Sequence, residues 1–361
     1  MVYLREVCAF FAEVFSMKIL HLLHSDRFSG AENVVCQIVG MFKNEKNVEM
    51  VYCSRDGQIR EALDERGVTF VPIKKTSVSE VRRVIKEQKP DIIHAHDMRA
   101  SFIAALACGK IRLISHIHNN AFDSRGVSAK SVAYLIAAMK ASHIFWVSQS
   151  AYDGYAFHKL FKKKSSVLRN IVDIDKLKDR MQTDTDSYDY DIVYVGRLSY
   201  EKNPERLVDV LQKVALAKPD VKAAIVGTGD LKETVERLVR EKGLEKNVYL
   251  LGFYSNPLKI MRDAKVMIMT SRWEGTPMCA LESMALGVPI VSTPTDGLRV
   301  LVKNGETGYL CDTDDELAEA CISLISDSQI RKKISDNTAN YFSEINDMGA
   351  YRNVLWDIYV K

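Results

Sequence analysis

Short apolar runs alternate along almost the whole chain with longer stretches of helical spacing. Residues 18–23, 48–52, 69–72, 91–94, 112–116 and 143–147 are strand-like runs of the kind buried on both faces of a sheet. Periodic stretches such as 32–42 and 131–142 lie between them and read as amphipathic helices. The alternation predicts βαβ units and a parallel sheet. Ser166-Val167-Leu168-Arg169-Asn170 closes the first half, and a polar, turn-forming segment at 182–187 follows. The pattern then restarts at 191–196 and continues through 223–227, 248–251, 266–270 and 289–292. The predicted fold class is therefore α/β, with two Rossmann-like doubly wound domains facing across a cleft. The first spans 17–180 and the second 188–345, with a linker at 181–187. The closing segment 346–361 has helical apolar spacing.

Composition narrows the class. At 361 residues the chain exceeds one ordinary core, and 47% hydrophobic with 27% charged residues is the balance of a globular protein. A net charge of +3 gives no reason to expect nucleic acid as a partner. The 7 cysteines are scattered and contain no Cys-x-x-Cys pair, so neither a disulfide framework nor a cysteine zinc site is expected, and a reducing cytoplasm fits. No apolar run reaches the roughly 20 residues that span a bilayer. Residues 1–16 form an apolar, aromatic leader with Arg5, Glu6 and Glu13 and no small-residue cleavage site, unlike a signal peptide. Two readings of it stay open: an upstream translation artefact ahead of Met17, or an amphipathic membrane-contacting helix.

The densest candidate chemistry lies at 271–285. The run 266–270 leads into Glu274-Gly275-Thr276-Pro277-Met278 at the carboxyl edge of a sheet, and Glu282 falls in the helix that follows. Amides at the start of that helix favour anions. A second strand-to-helix turn carries Gly196, Arg197 and Lys202. Glycine admits backbone approach, arginine grips phosphate oxygens as a fork, and lysine adds a mobile point charge. A third such turn, Gly227-Thr228-Gly229, lacks the further glycine and the acidic residue of a dinucleotide fingerprint.

These segments together resemble the retaining glycosyltransferases of family 4, which have the GT-B fold. The spacing of Glu274 and Glu282 is similar to that family's Glu-x7-Glu signature. Gly196-Arg197-Leu198 through Glu201-Lys202-Asn203 is similar to its Gly-Arg-Leu…Glu-Lys-Asn run, and Ser29-Gly30-Ala31-Glu32 to its Gly-Gly-Ala-Glu loop. The resemblance implies a nucleotide-diphosphate sugar donor and a saccharide or lipid-linked saccharide acceptor, in cell-surface polysaccharide synthesis such as capsule or exopolysaccharide. It implies no cofactor and no metal. Glu274 with the turn amides Gly275 to Met278 would approach the donor sugar and Glu282 the ribose. Arg197 and Lys202 would hold the diphosphate, with Gly30, Gly196, Gly227 and Gly229 lining the donor. By the same resemblance the closing helix crosses back to the first domain. Three positions depart from the family pattern: Ser29 and Ile171 each replace a glycine, and Val300 stands where a glutamate is usual.

Histidines concentrate in His94-Ala95-His96-Asp97 and His116-Ile117-His118-Asn119, each at a strand end. Alternate residues of a strand share a face, so each pair projects together. Such a set would suit zinc, yet no metal motif of the His-Glu-x-x-His kind is present. The resemblance instead equates His118 with a catalytic histidine near the donor sugar and puts His96 and Asp97 on the acceptor side. Lys159, Lys162, Lys163 and Lys164 among Phe157, Leu160 and Phe161, with Arg82, Arg83 and Lys86 elsewhere, suggest docking on an anionic membrane surface at the cytoplasmic inner face. An ordinary solvated face is the plainer reading. Other activities on the same fold stay open: a sugar-nucleotide epimerase would process donor alone, a phosphorylase would release sugar phosphate, and a non-catalytic partner would bind nucleotide without transfer.

Overall fold

The computed structural model describes residues 16–119 and 125–361. The leader expected at 1–16 lies, Ser16 apart, outside the described residues. The described residues divide into two compact units, one of those up to 169 together with 349–361 and one of residues 170–348.

The first unit is built on a seven-stranded sheet in the order β3-β2-β1-β4-β5-β6-β7. Its strands are β1 (Met17–Leu22), β2 (Val48–Arg55), β3 (Phe70–Ile73), β4 (Ile92–His96), β5 (Arg112–Ile117), β6 (His143–Trp146) and β7 (Ser165–Val167). Neighbouring strands all pair in parallel. The chain winds outward from β1 to β3, then returns to the other side of β1 and winds outward again. That reversal makes the β1/β4 boundary the switch point, where carboxyl ends leave a crevice for ligands. All of β4 is buried, as a central parallel strand covered on both faces must be. It runs to His96, two residues beyond the expected strand, which brings both of its histidines into the sheet.

The helix Met348–Tyr359 packs within this unit. Leu355 and Tyr359 are buried, and Phe42 meets the rings of Trp356 and Tyr359 at centroid distances of 6.1 and 5.8 Å. The Tyr359 hydroxyl hydrogen-bonds His94 Nδ1 at 2.8 Å, and Arg112 Nη1 donates to the Tyr359 carbonyl at 2.9 Å.

The second unit carries a six-stranded parallel sheet, β10-β9-β8-β11-β12-β13. Its strands are β8 (Ile192–Val195), β9 (Ala223–Val226), β10 (Val248–Gly252), β11 (Val266–Met269), β12 (Ile290–Ser292) and β13 (Gly308–Leu310). The same reversal occurs between β8 and β11. Sequence reading does not anticipate β13, because three residues starting with a positive-φ glycine carry no periodicity.

The unit boundary falls at Arg169/Asn170, ahead of the expected linker at 181–187. Residues 174–182 form a helix of the second unit, capped by Asp173, whose carboxylate accepts from the Lys176 amide at 3.1 Å. Leu177 is buried, Arg180 Nη2 donates to the Ser255 carbonyl at 2.9 Å, and Asn256 Nδ2 donates to the Arg180 carbonyl at 2.6 Å. The turn-forming residues after 182 therefore join a helix to β8 inside one unit. Their composition marks a loop without marking a domain border.

The Tyr359 hydroxyl supplies the hydrogen-bond partner of a buried imidazole. Tyr359→Phe should therefore lower the stability of the first unit by about 1–3 kcal/mol, read as an earlier midpoint in denaturant unfolding.

Candidate active site

In the second unit the switch point gathers two turns. After β8 the chain passes Gly196 and Arg197 into a 3-10 turn, Tyr200–Lys202, and after β11 it passes Ser271 to Pro277 into the helix Met278–Ala285. Lys202 Nζ and Glu274 Oε1 meet at 2.5 Å, with side chains 17% and 8% exposed. Ser271 Oγ donates to the same Glu274 oxygen at 2.6 Å. Burial by itself would pull the Lys202 ammonium down; the charge of Glu274 and its hydrogen bond outweigh burial and hold the lysine above its ordinary value. Beside them burial pushes the Cys279 thiol up to about 12, so it stays neutral and is no nucleophile. Pro277 stands at the N-cap of the following helix and has no side-chain oxygen to cap its first amides.

Backbone contacts fix both turns. A methyl group on Gly227, whose φ is +141°, would collide with the Gly196 carbonyl, and one on Gly229 with the Leu198 carbonyl. Gly297 packs against the Gly275 carbonyl in the same way. Asn170 Nδ2 donates to the Thr276 carbonyl at 2.7 Å. The Arg272 amide donates to the Glu201 carbonyl at 2.8 Å, which ties the β8 turn to the β11 turn.

In the first unit the switch point is lined by imidazoles. His21 of β1 stands beside His94 in the ladder, and His96 beside His116. The rings of His94 and His96 lie 4.4 Å apart between centroids, and those of His116 and His118 4.1 Å. His21 Nδ1 and His96 Nε2 share a hydrogen bond at 3.0 Å, and His96 Nδ1 and His118 Nε2 another at 2.8 Å. Burial lowers every one of these histidines: His21 to about 3, His94, His96 and His116 well below the ordinary value, and His118 less, since Asp97 opposes the shift. Asp97 adopts φ +66°, rare for a residue with a side chain, and its Oδ1 accepts from the His118 amide at 3.0 Å.

Within the second unit, Lys202 and Glu274, expected to serve different parts of a donor, are in direct contact. Arg197 is 64% exposed and its Nη2 lies 2.6 Å from Glu201 Oε1. Glu282 is half-buried on the helix Met278–Ala285. Gly275, Thr276, Pro277 and Met278 are buried within the β11 turn. Gly227 and Gly229, expected to line the donor, have a structural duty against the β8 turn. Within the first unit, His96, Asp97 and His118 are brought together, and Gly30 is exposed at the start of the helix Gly30–Phe42. Ser29, in place of the family's glycine, keeps extended backbone and donates its hydroxyl to buried Glu32. Ile171 has no positive φ and is buried, so a glycine is not needed there. Val300 is exposed. Sequence reasoning missed Ser271, Gly297 and His21. The one signal for His21 is a polar residue between the apolar Leu20 and Leu22.

Two doubly wound parallel sheets, each with polar side chains at its switch point, define the GT-B class. Solved structures agree: the chain superposes on Anabaena HepE in complex with UDP-glucose with a TM-score of 0.82 at 22% identity, covering 95% of this chain and 99% of that one. Staphylococcus aureus TarM gives 0.78 at 12% identity, with 96% and 100% covered. Residues 28–176 match the model "Glycosyltransferase Family 4" and residues 175–341 the model "Glycosyl transferases group 1". A glycosyltransferase of Methanocaldococcus jannaschii is 28% identical over 59% of this chain and 58% of its own length. The Escherichia coli UDP-Gal:alpha-D-GlcNAc-diphosphoundecaprenol alpha-1,3-galactosyltransferase is 24% identical over 90% of this chain and 92% of that one. The Staphylococcus aureus capsular polysaccharide biosynthesis glycosyltransferase CapH is 23% identical over 96% and 99%. The chain belongs to the family 4 glycosyltransferases and is a glycosyltransferase.

The lowered histidines set the direction of a pH dependence. Each is neutral when folded and protonates near its ordinary value when unfolded. Stability is therefore full above pH about 6.5 and falls as the pH drops toward the folded values, by up to about 1.4 kcal/mol per pH unit for each histidine. Thermal melts from pH 8 to pH 4 should show the first unit losing stability below pH about 6.5; flat melting would contradict the buried, neutral cluster.

Proposed function

We propose that this chain is a retaining hexosyltransferase that moves a sugar from a nucleotide-diphosphate donor to a hydroxyl of a saccharide acceptor. The observation that carries the reading is the Lys202–Glu274 pair at the β8/β11 switch point, beside a helix start without a side-chain cap. In this reading Lys202 and Arg197 take the diphosphate and stabilise its growing charge as it leaves. Glu274, with the amides of Gly275 to Met278, positions the sugar, and Glu282 the ribose. These cations supply the charge that a metal provides in other transferases, so transfer needs no metal. His118 faces the donor sugar's hydroxyls, and His96 with Asp97 serves the acceptor side. The anomeric carbon's bond to the diphosphate oxygen breaks while its bond to the acceptor oxygen forms on the same face. The acceptor proton passes to the leaving phosphate oxygen, which gives retention without an enzymic nucleophile.

A lipid-linked acceptor in cell-surface polysaccharide synthesis fits the named substrate of the Escherichia coli relative and the capsular role of CapH. Among the described residues no helix is long and apolar enough to cross a membrane. The helix Ala129–Lys140 exposes Val132, Ile136 and Met139 along one stripe, and Leu160, Lys159, Lys162 and Lys163 are exposed on the 3-10 turn His158–Lys164. Lys164 is committed otherwise: its Nζ donates to the carbonyls of Met139 and Ala141 at 3.1 and 2.6 Å. This apolar stripe flanked by lysines supports peripheral docking on the inner, anionic face of the membrane, at roughly 1 kcal/mol for each near-surface cation.

Two experiments test the reading. A nucleotide panel of UDP, GDP, ADP and their sugars should raise the melting temperature of the protein for one base, in EDTA as well as without it, with the rise lost in Lys202→Ala and Glu282→Ala. With an acceptor supplied, Lys202→Ala should cost about 100- to 1,000-fold in kcat; a shift with every nucleotide or none would sink the donor site. In the second, wild type should co-sediment with anionic liposomes at low salt, and Ile136→Asp with Lys162→Glu should release it. Wild type left in the supernatant ends the membrane proposal.

A further inference from the structure

Donor chemistry uses His118 and His96 but leaves their neighbour unexplained. His116 is fully buried, and neither ring nitrogen has a hydrogen-bond partner among the described residues. A neutral imidazole always carries one N–H and one lone pair, so a buried donor and a buried acceptor are both left over. His118 Nδ1 is likewise unpartnered. Orphaned buried polar atoms of this kind call for an ion or an ordered water.

The arrangement selects between them. One ring nitrogen from each of His96, His116 and His118 lies within 4.8 Å of the other two. Three imidazoles converging from two adjacent strand ends are a donor set for a divalent transition metal, which they hold at about 2.0–2.1 Å. His118 is only half-buried, so the trio is not wholly sealed from solvent. The support around the ligands is also present. His96 Nε2 is engaged with His21 Nδ1 at 3.0 Å, so an ion held at its Nδ1 would replace the 2.8 Å hydrogen bond between that atom and His118 Nε2, and Asp97 fixes the His118 backbone. A second trio, His21, His94 and His96, brings its ring nitrogens equally close but is wholly buried. His21 Nε2 and His94 Nε2 in that trio are also without a partner among the described residues, but no ring of that trio reaches the surface to admit an ion. The sequence hides the site because its ligands are spaced along two strands and no short metal motif joins them.

We propose that His96, His116 and His118 bind one divalent transition-metal ion, with Zn2+ among the ions that neutral imidazole donors suit. The ion is not part of the transfer chemistry. It occupies His118, so it should inhibit transfer, and this consequence alone rests on the function proposed above.

The test is a Co2+ titration of the full, untagged, chelator-treated chain, with Zn2+ as competitor. Wild type should develop visible d–d absorption that saturates at one equivalent and is abolished by Zn2+. His116→Gln and His118→Asn should lose it, while His21→Asn weakens binding roughly 10- to 100-fold as a supporting residue. His24→Gln, outside the cluster, should bind as wild type does. No saturable spectrum in wild type overturns the site without recourse to any variant, so a misfolded His116→Gln cannot rescue it. An undiminished spectrum in both ligand variants overturns it as well. A nucleotide-induced melting shift in the same preparation separates the two readings: it would leave the transferase standing where the metal site fails.

Discussion

Lys202 and Glu274 hold the second unit's site in one place. Neither charge could stay in so dry a turn alone, because an isolated buried ion is far costlier than a paired one. Their contact bridges 72 positions of sequence and ties the exit of β8 to the exit of β11. Ser271 supports the carboxylate, the Arg272 amide fastens the two turns, and Gly227 and Gly297 let neighbouring backbones come close enough for the pair to form. The glycines thus act as spacers for a polar contact, a duty that a reading centred on ligand approach overlooks.

The first unit meets a related constraint with different residues. Its switch point is filled by stacked neutral imidazoles instead of opposite charges, and burial keeps them neutral. The closing helix contributes directly to this layer, since the Tyr359 hydroxyl hydrogen-bonds His94 Nδ1. A residue at the end of the chain is therefore part of the support of a site formed near its start.

Several features were legible in the sequence. Glu274 and Glu282 fall on a strand-to-helix turn because the apolar run at 266–270 and the Gly-Thr-Pro turn are local signals. Arg197 and Lys202 follow β8 for the same reason. The segment after 182 was misleading: polar turn formers mark a loop, but burial of Leu177 and the contacts of Arg180 assign the preceding helix to the second unit. His21 could not be singled out, since nothing along the chain says that β1 will lie beside β4.

By itself, the sequence determined the alternation of strands and helices, the doubled α/β plan and the turns that carry charged side chains. All of these depend on residue patterns within a few positions of one another. Only the tertiary structure decided the strand orders, and with them which strand ends became neighbours. That choice paired Lys202 with Glu274, set His96 against both His21 and His118, and placed the helix Met348–Tyr359 in the first unit. The physical reason is that parallel strands pair through backbone groups every residue possesses. Partner choice rests on how distant apolar faces pack, which no local pattern records.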